Sequence, residues 1–164
     1  MAAKTLITAA RVRELISYDP ETGIFIWIGS KQKPRNGTVA GGPHVCGYVW
    51  MRLDNIHYMA HRLAWIYMTS RWPIADIDHI NTERSDNRWC NLREATRSQN
   101  RANSRKPITN TSGFKGATKA GNRWVAQIWQ SGKMNYLGRY DTAKLANDAY
   151  LRAAIEHHGE YARG

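Results

Sequence analysis

The sequence predicts an α+β chain of two modules: a ββα unit, then a small three-stranded sheet packed on one helix. Three observations predict it. Residues 76–104 read as a strand, a polar loop, a second short strand or extended turn, and a helix, with Asp78-His79, Asn91 and Asn100 placed along them in that order. Residues 114–140 read as three short strands with turns at Ala120-Gly121-Asn122 and Ser131-Gly132, followed by an alanine-rich helical pattern. From residue 95 to residue 140 there is no Asp or Glu, while the same stretch holds nine Lys and Arg.

From the N-terminus, Thr8 is positioned to cap a helix over 9–17 with Val12, Leu15 and Ile16 on one face. Asp19-Pro20-Glu21-Thr22-Gly23 is a turn, and Ile24-Phe25-Ile26-Trp27-Ile28 a strand. Residues 29–47, rich in Gly, Pro and Lys, read as a loop. The runs 48–53 and 56–59 flank Asp54-Asn55, the pattern of a β-hairpin. Apolar residues at 60, 63, 64, 67 and 68 have helical spacing, and Pro73 ends that helix. Asp76-Ile77-Asp78-His79-Ile80 is a strand, residues 81–87 a polar loop, and 95–104 a helix capped by Thr96. The last element is a helix from 142 to about 158. Ala146, Ala149, Tyr150, Ala153, Ala154 and His157 lie on its buried face, Asp141 or Thr142 caps it, and Gly159 stands at its C-terminal end.

Charge narrows the function. The chain carries 24 Lys and Arg against 13 Asp and Glu, a formal net charge of +11, so polyanions are the expected partners. The acid-free stretch, interleaved with Trp124, Trp129 and Tyr136, reads as a nucleic-acid track. No apolar run approaches the roughly 18 residues of a membrane span. The start of the chain, Met1-Ala2-Ala3-Lys4, leads into no signal-peptide core, which implies a cytoplasmic protein. Cys46 and Cys90 form no CxxC, against both a disulfide framework and a zinc knuckle.

The 76–104 segment carries residues suited to phosphodiester hydrolysis. That reaction needs an activated water, charge relief on the phosphate and stabilisation of the departing alkoxide. A hard divalent cation, Mg²⁺ or Mn²⁺, prefers oxygen ligands and keeps several waters. The Asp78 carboxylate and the Asn100 amide would hold it while leaving positions open. His79, with an ordinary pKa near working pH, is the candidate base for the attacking water. Neighbours in a strand point to opposite faces, so Asp78 and His79 serve one site only at a strand end. Arg97 and Arg101 flank Asn100 and would hold phosphate. Asn87 reads as a loop residue, Asn103 as helix surface, Cys90 as packing and His61 as a structural, hydrogen-bonded histidine.

Asp78-His79-Ile80-Asn81, the run Asp86-Asn87-Arg88-Trp89-Cys90-Asn91-Leu92-Arg93, and Ala95-Thr96-Arg97-Ser98-Gln99-Asn100 resemble the three pieces of an HNH homing endonuclease, a ββα-metal nuclease of phage type. The upstream Ala60-His61-Arg62-Leu63-Ala64-Trp65 is similar to what precedes the motif in phage members. The resemblance implies that Asn91 hydrogen-bonds the backbone opposite and keeps the histidine loop in shape. It also implies 5′-phosphate and 3′-hydroxyl products. Thr82 departs from the glycine usual after the asparagine, which strains a tight turn without changing a catalytic group.

Farther on, Ser112-Gly113-Phe114-Lys115-Gly116-Ala117, Trp124-Val125-Ala126-Gln127-Ile128, the run Tyr136-Leu137-Gly138-Arg139-Tyr140-Asp141-Thr142-Ala143, and Ala146-Asn147-Asp148-Ala149-Tyr150 resemble the DNA-binding domain of plant ethylene-response factors. A sheet of that kind enters a major groove. By position Lys115, Arg123, Gln127, Trp129 and Tyr136 match the family's DNA-facing sites. Gln127, Trp129 and Tyr136 differ from the residues usual there, so base preference does not carry over. Trp124 and Tyr140 are expected in the core, and Trp129 is left open between packing and DNA contact. The expected organisation is a scaffold region over 1–56, the nuclease core over 57–106, a linker over 107–111 and the DNA-binding domain over 112–164. The chain is expected to act on double-stranded DNA as a monomer, and therefore to nick. The rivals are a non-catalytic DNA-binding regulator and an RNA-binding protein.

Overall fold

The computed structural model describes residues 6–29, 35–106, 109–130 and 132–163. The Met1-Ala2-Ala3-Lys4 start, part of the 29–47 loop, Pro107 and Ile108 of the expected linker, and Ser131 of the second turn lie outside the described residues. The fold is α+β, and contacts divide it into two compact units, Met1–Glu94 and Ala95–Gly164. The expected linker falls within the second of these.

In the first unit, helix α1 (Ala9–Leu15) starts where Thr8 Oγ1 accepts from Arg11 N at 3.2 Å, and buries Val12 and Leu15. It stops before the expected residue 17 because Ile16 turns extended and opens strand β1 (Ile16–Tyr18), antiparallel to β2 (Phe25–Trp27). Asp19 shapes the connecting turn, its carboxylate accepting from Glu21 N at 2.9 Å and Thr22 Oγ1 at 2.8 Å. Within the 29–47 loop the short strand β3 (Gly42–Pro43) pairs with β4 (Val49–Leu53), which forms a hairpin with β5 (Ile56–Met59). Asp54 and Asn55 close that hairpin with φ of 44° and 64°, both positive as a type I′ turn requires.

Helix α2 (Ala60–Thr69) follows directly and buries Ala60, Leu63, Ala64, Trp65 and Ile66 against β1, β2, β4 and β5. It ends on Ser70 in the left-handed conformation, three residues before Pro73. Strand β6 (Asp76–His79) then pairs with β7 (Leu92–Ala95), a single 3₁₀ turn, Trp89–Asn91, leading into β7. Arg71 grips Glu94 through two bonds of 2.9 and 2.8 Å, and Ile74 N donates to the same carboxylate at 2.8 Å. The segment entering β6 is thereby tied to the end of β7.

The second unit opens with helix α3 (Arg97–Asn103), whose start is fixed by a reciprocal cap. Gln99 N donates to Thr96 Oγ1 at 3.3 Å, and Thr96 N donates to Gln99 Oε1 at 2.8 Å. Strands β8 (Ala117–Ala120), β9 (Arg123–Gln130) and β10 (Lys133–Tyr140) form an antiparallel sheet with β9 central. Helix α4 (Ala143–His158), capped by Thr142, packs on one face through Ala146, Ala149, Ala153 and Ala154 against Ala117, Ala126 and Ile128. Small side chains allow this close approach. At Gly116 a Cβ would lie 2.1 Å from the Tyr150 ring. Trp124 and Tyr140 pack against this core. His157, expected on the buried face, is exposed. Among the described residues no helix is long and apolar enough to cross a membrane.

Candidate active site

Strand β6 alternates until it ends. Ile77 faces the core, and Asp78 and His79, its last two residues, are both buried, at 5% and 4% exposure. A buried carboxylate needs a counter-charge, and Arg93 on β7 supplies it, donating from Nε to Asp78 Oδ2 at 3.0 Å. The chain turns immediately after His79, with Thr82 N donating to His79 O at 2.8 Å. Thr82 has a φ of 64°, a conformation that a β-branched residue rarely adopts.

Asn91 secures the loop that follows. Its Oδ1 accepts from Asn81 N at 2.9 Å, its Nδ2 donates to Asp86 O at 2.8 Å, and its backbone carbonyl accepts from Ile80 N at 2.9 Å. One buried amide thus spans both ends of the 81–86 loop. Asp86 adds bonds to Asn81 Nδ2 and to the Arg88 guanidinium, which holds its carboxyl down at about 2.

Asn87, expected as an ordinary loop residue, is 3% exposed and faces the histidine. Its Nδ2 donates to Ser85 O at 3.0 Å, which leaves Oδ1 as the atom 3.4 Å from His79 Nε2. A carbonyl oxygen there favours the proton on Nε2 and places the basic lone pair of the neutral ring on Nδ1. Burial pushes the His79 pKa below its ordinary value, opposed by the Asn87 bond and the charge of Asp78. The imidazole is therefore neutral, and able to accept a proton, at pH 7.

His61 on α2 and Tyr48 complete the surroundings. Their ring centroids lie 5.1 and 5.8 Å from that of His79, and Arg84 lies over the Tyr48 ring at 5.0 Å. His61, expected as a structural, hydrogen-bonded histidine, is buried against these rings, and its Nδ1 has no hydrogen-bond partner among the described residues. The hidden role of Asn87 left no trace in the periodicity, because its fold comes from loop contacts distant in sequence. Tyr18 Oη donates to Asn87 O at 2.7 Å and Trp89 N to Pro20 O at 2.9 Å. The β1–β2 turn thus braces the residue beside the histidine. Two other expectations are corrected: Cys90 is exposed rather than packed, and Asn103 is buried rather than on the helix surface.

The first unit therefore brings together Asp78, His79 and Asn91, and adds Asn87, Arg93 and His61. Asn100 is half-buried on α3 in the second unit, with Arg97 and Arg101 exposed on the same helix. Arg97 and Arg101 line a cavity of about 490 Å³ together with Gln127 and Trp129. Among the described residues no three His, Cys, Asp or Glu side chains gather as a metal-binding group.

On the sheet, Gln127 pairs with Tyr136 and Trp129 with Met134, so these four share the face opposite Ala126 and Ile128. Trp129 and Tyr136 are 48% and 65% exposed. Trp129 thus projects from the sheet rather than into the α4 core. Arg123 is exposed and ion-paired with Asp141 at 2.7 Å. Lys115 is half-buried, its ammonium donating to Ala102 O and Ser104 O at the end of α3. Burial and the nearby Arg163 pull its pKa down to about 8.

Comparison with known proteins finds two kinds of similarity. Residues 58–102 match the HNH endonuclease family model, a span that includes Asp78, His79, Asn91 and Asn100. Over 57 residues, 34% of this chain, the sequence is 44% identical to APETALA2-like protein 2 of Oryza sativa, in both the indica and japonica subspecies. Over 57 residues it is 42% identical to the AP2-like ethylene-responsive transcription factor TOE2 of Arabidopsis thaliana. The chain spans 13% and 12% of the length of these relatives. No solved structure matches it significantly.

Proposed function

We propose that this chain is a metal-dependent DNA endonuclease of the HNH type that cuts one strand per active site. The observation that carries the reading is the buried end of β6. There a carboxylate and a neutral histidine stand side by side, the loop after them is tied down by Asn91, and Asn87 orients the ring. His79 takes the proton from the attacking water through Nδ1. Asn91 acts on the backbone and keeps that geometry. Asp78 and Asn100 would hold the divalent cation, Mg²⁺ or Mn²⁺. Both offer oxygen donors, which suit a hard ion, and two protein ligands form no cluster of three acidic or histidine side chains. The ion, when bound, supplies charge relief to the phosphate and the departing alkoxide. Arg93 holds the Asp78 carboxylate in place through its Nε–Oδ2 bond.

The AP2-like similarity supports DNA as the partner and belongs, on this reading, to the three-stranded sheet and α4 of the second unit. Gln127, Trp129 and Tyr136 form its DNA face, with Arg123 at the strand end and Arg97 and Arg101 contributing phosphate contacts. Residues 1–56 serve as a scaffold, 57–106 as the nuclease core, 107–111 as a linker and 112–164 as the DNA-binding domain. A cytoplasmic monomer acting in the manner of a phage homing endonuclease fits this arrangement. It would leave nicks with 5′-phosphate and 3′-hydroxyl ends.

Incubating supercoiled plasmid with Mg²⁺, Mn²⁺ or EDTA tests the proposal. Open circles with either metal and none in EDTA are expected, and sequencing the ends gives strand number and site. His79→Ala is expected to lose about 10²–10⁴ in rate while DNA binding survives. DNA binding without cleavage under every metal would leave the regulator suggested by the transcription-factor relatives, and preference for duplex RNA in competition would leave an RNA-binding protein.

A further inference from the structure

The second unit holds a cavity of about 410 Å³ whose lining, Lys115 apart, the proposed function does not use. Four cations line it, Arg105, Lys106, Lys115 and Arg163, together with Phe114 and Asn147, and none of its described lining residues is acidic. The walls are fixed from several sides. Lys106 Nζ donates to Gly113 O at 2.8 Å, Lys115 Nζ donates to Ser104 O at 2.8 Å, and the buried Asn147 Nδ2 reaches from α4 to Lys115 O at 2.8 Å. An ammonium has three donors, so Lys106 keeps two N–H groups beyond its bond and Lys115, which also donates to Ala102 O, keeps one. Burial first, and then the charge of Arg163, hold the Lys115 pKa down, so the recess carries an electrostatic repulsion between those two cations. An anion relieves it. Two guanidinium groups favour an oxyanion taken by forked donors, the geometry of phosphate. The volume exceeds what a lone small anion fills, and the partly exposed Phe114 ring offers a surface for a sugar or base.

We propose that this cavity seats one backbone phosphate of a DNA strand, with the adjoining sugar or base against Phe114. The inference rests on the reading of the chain as a DNA-binding protein. It adds a phosphate site separate from the Gln127, Trp129 and Tyr136 face.

The test is binding of a fluorescent DNA duplex to the full chain, by anisotropy, across a salt series. Each phosphate contact contributes about 1 to the slope of log K against log salt. The Lys106→Gln/Arg163→Gln double variant is expected to flatten the slope by about 1 and to weaken binding severalfold. Lys144→Gln, whose lysine is exposed and paired with Asp148, is expected to leave the slope in place. An unchanged slope in the double variant overturns the proposal. A wild-type chain that binds no DNA overturns instead the reading beneath it. A measurement on the wild-type chain keeps the question open to refutation if the variant folds poorly: the Asn147 side-chain amide, followed by NMR at constant ionic strength. Shifts on adding DNA support the site, and weaker shifts with inorganic phosphate that DNA displaces do so too. Shifts with inorganic phosphate that DNA does not displace identify a free-anion site and overturn the proposal.

Discussion

His61 and His79 are two imidazoles whose burial sets different tasks. His79 keeps an Asn87 partner and the charge of Asp78, both of which resist the loss of its proton. His61 has no such support: burial, then His79 and Arg62, bring its pKa down to about 3. The consequence for stability has a definite sign. In the unfolded chain His61 binds a proton below about pH 6.5, whereas the folded chain refuses one until about pH 3. The unfolded state binds more protons in that window, so stability is full above pH 6.5 and falls as the pH drops toward 3. One group contributes at most about 1.4 kcal/mol per pH unit. His61→Phe removes the titrating ring and is expected to flatten the slope of unfolding free energy between pH 6 and pH 4 by about 1 kcal/mol per unit. Urea unfolding at several pH values measures it. A slope equal to that of wild type would mean that His61 titrates freely in the folded chain.

At the scale of elements, the histidine loop depends on a turn from the opposite end of its unit. Gly23, in the Asp19–Gly23 turn, has a φ of 73°, and a Cβ there would lie 2.5 Å from Arg88 N and Asn87 C. Gly23→Ala therefore strains the turn and pushes on the residue that orients His79. It is expected to destabilise the chain by more than about 1 kcal/mol and to lower the nicking rate beyond what lost folding explains. Melting temperature and single-turnover nicking, measured together, separate the two effects. The turn after His79 gives the opposite case. Thr82 holds a positive φ at a penalty of about 1–2 kcal/mol for a residue with a Cβ. Thr82→Gly is expected to raise stability by roughly 0.5–1 kcal/mol once the added freedom of the unfolded chain is subtracted; a lower melting temperature would refute the strain.

The same elements explain what the sequence made legible. The 54–55 hairpin, α2 and α4 are readable because alternation and helical spacing report burial directly; Thr8 and Thr96 cap where their hydroxyls predict, and of the two candidates at α4 the cap is Thr142 rather than Asp141. The strand β3 was not, since Gly42-Pro43 has no strand-like side chain and is held only by its pairing with β4. Asp78, His79 and Asn91 were legible as a spaced set. Asn87 and Arg93 were not, because an asparagine facing a histidine eight residues away and an arginine paired with a carboxylate fifteen away arise from loop folding and strand pairing, which no periodicity encodes.

At the scale of the whole molecule, the proposed function assigns different tasks to the two compact units. The groups proposed for proton transfer lie in Met1–Glu94, while the exposed Trp129 and Tyr136 lie in Ala95–Gly164, on a sheet face that α4 leaves open. Trp129 and Tyr136 are not among the residues proposed to move a proton, so on this reading their truncation removes binding that is equal in the ground and transition states. Loss of such uniform binding raises KM and leaves kcat in place. Aromatic contacts to nucleic acid contribute about 1–3 kcal/mol each, so Trp129→Ala with Tyr136→Ala is expected to raise KM for plasmid nicking at least tenfold at unchanged kcat. His79→Ala is expected to do the reverse, lowering kcat at nearly constant KM. Steady-state kinetics on both variants measures the split. A fall in kcat for the aromatic pair would mean that the sheet helps to assemble the cleavage site rather than only delivering DNA to it.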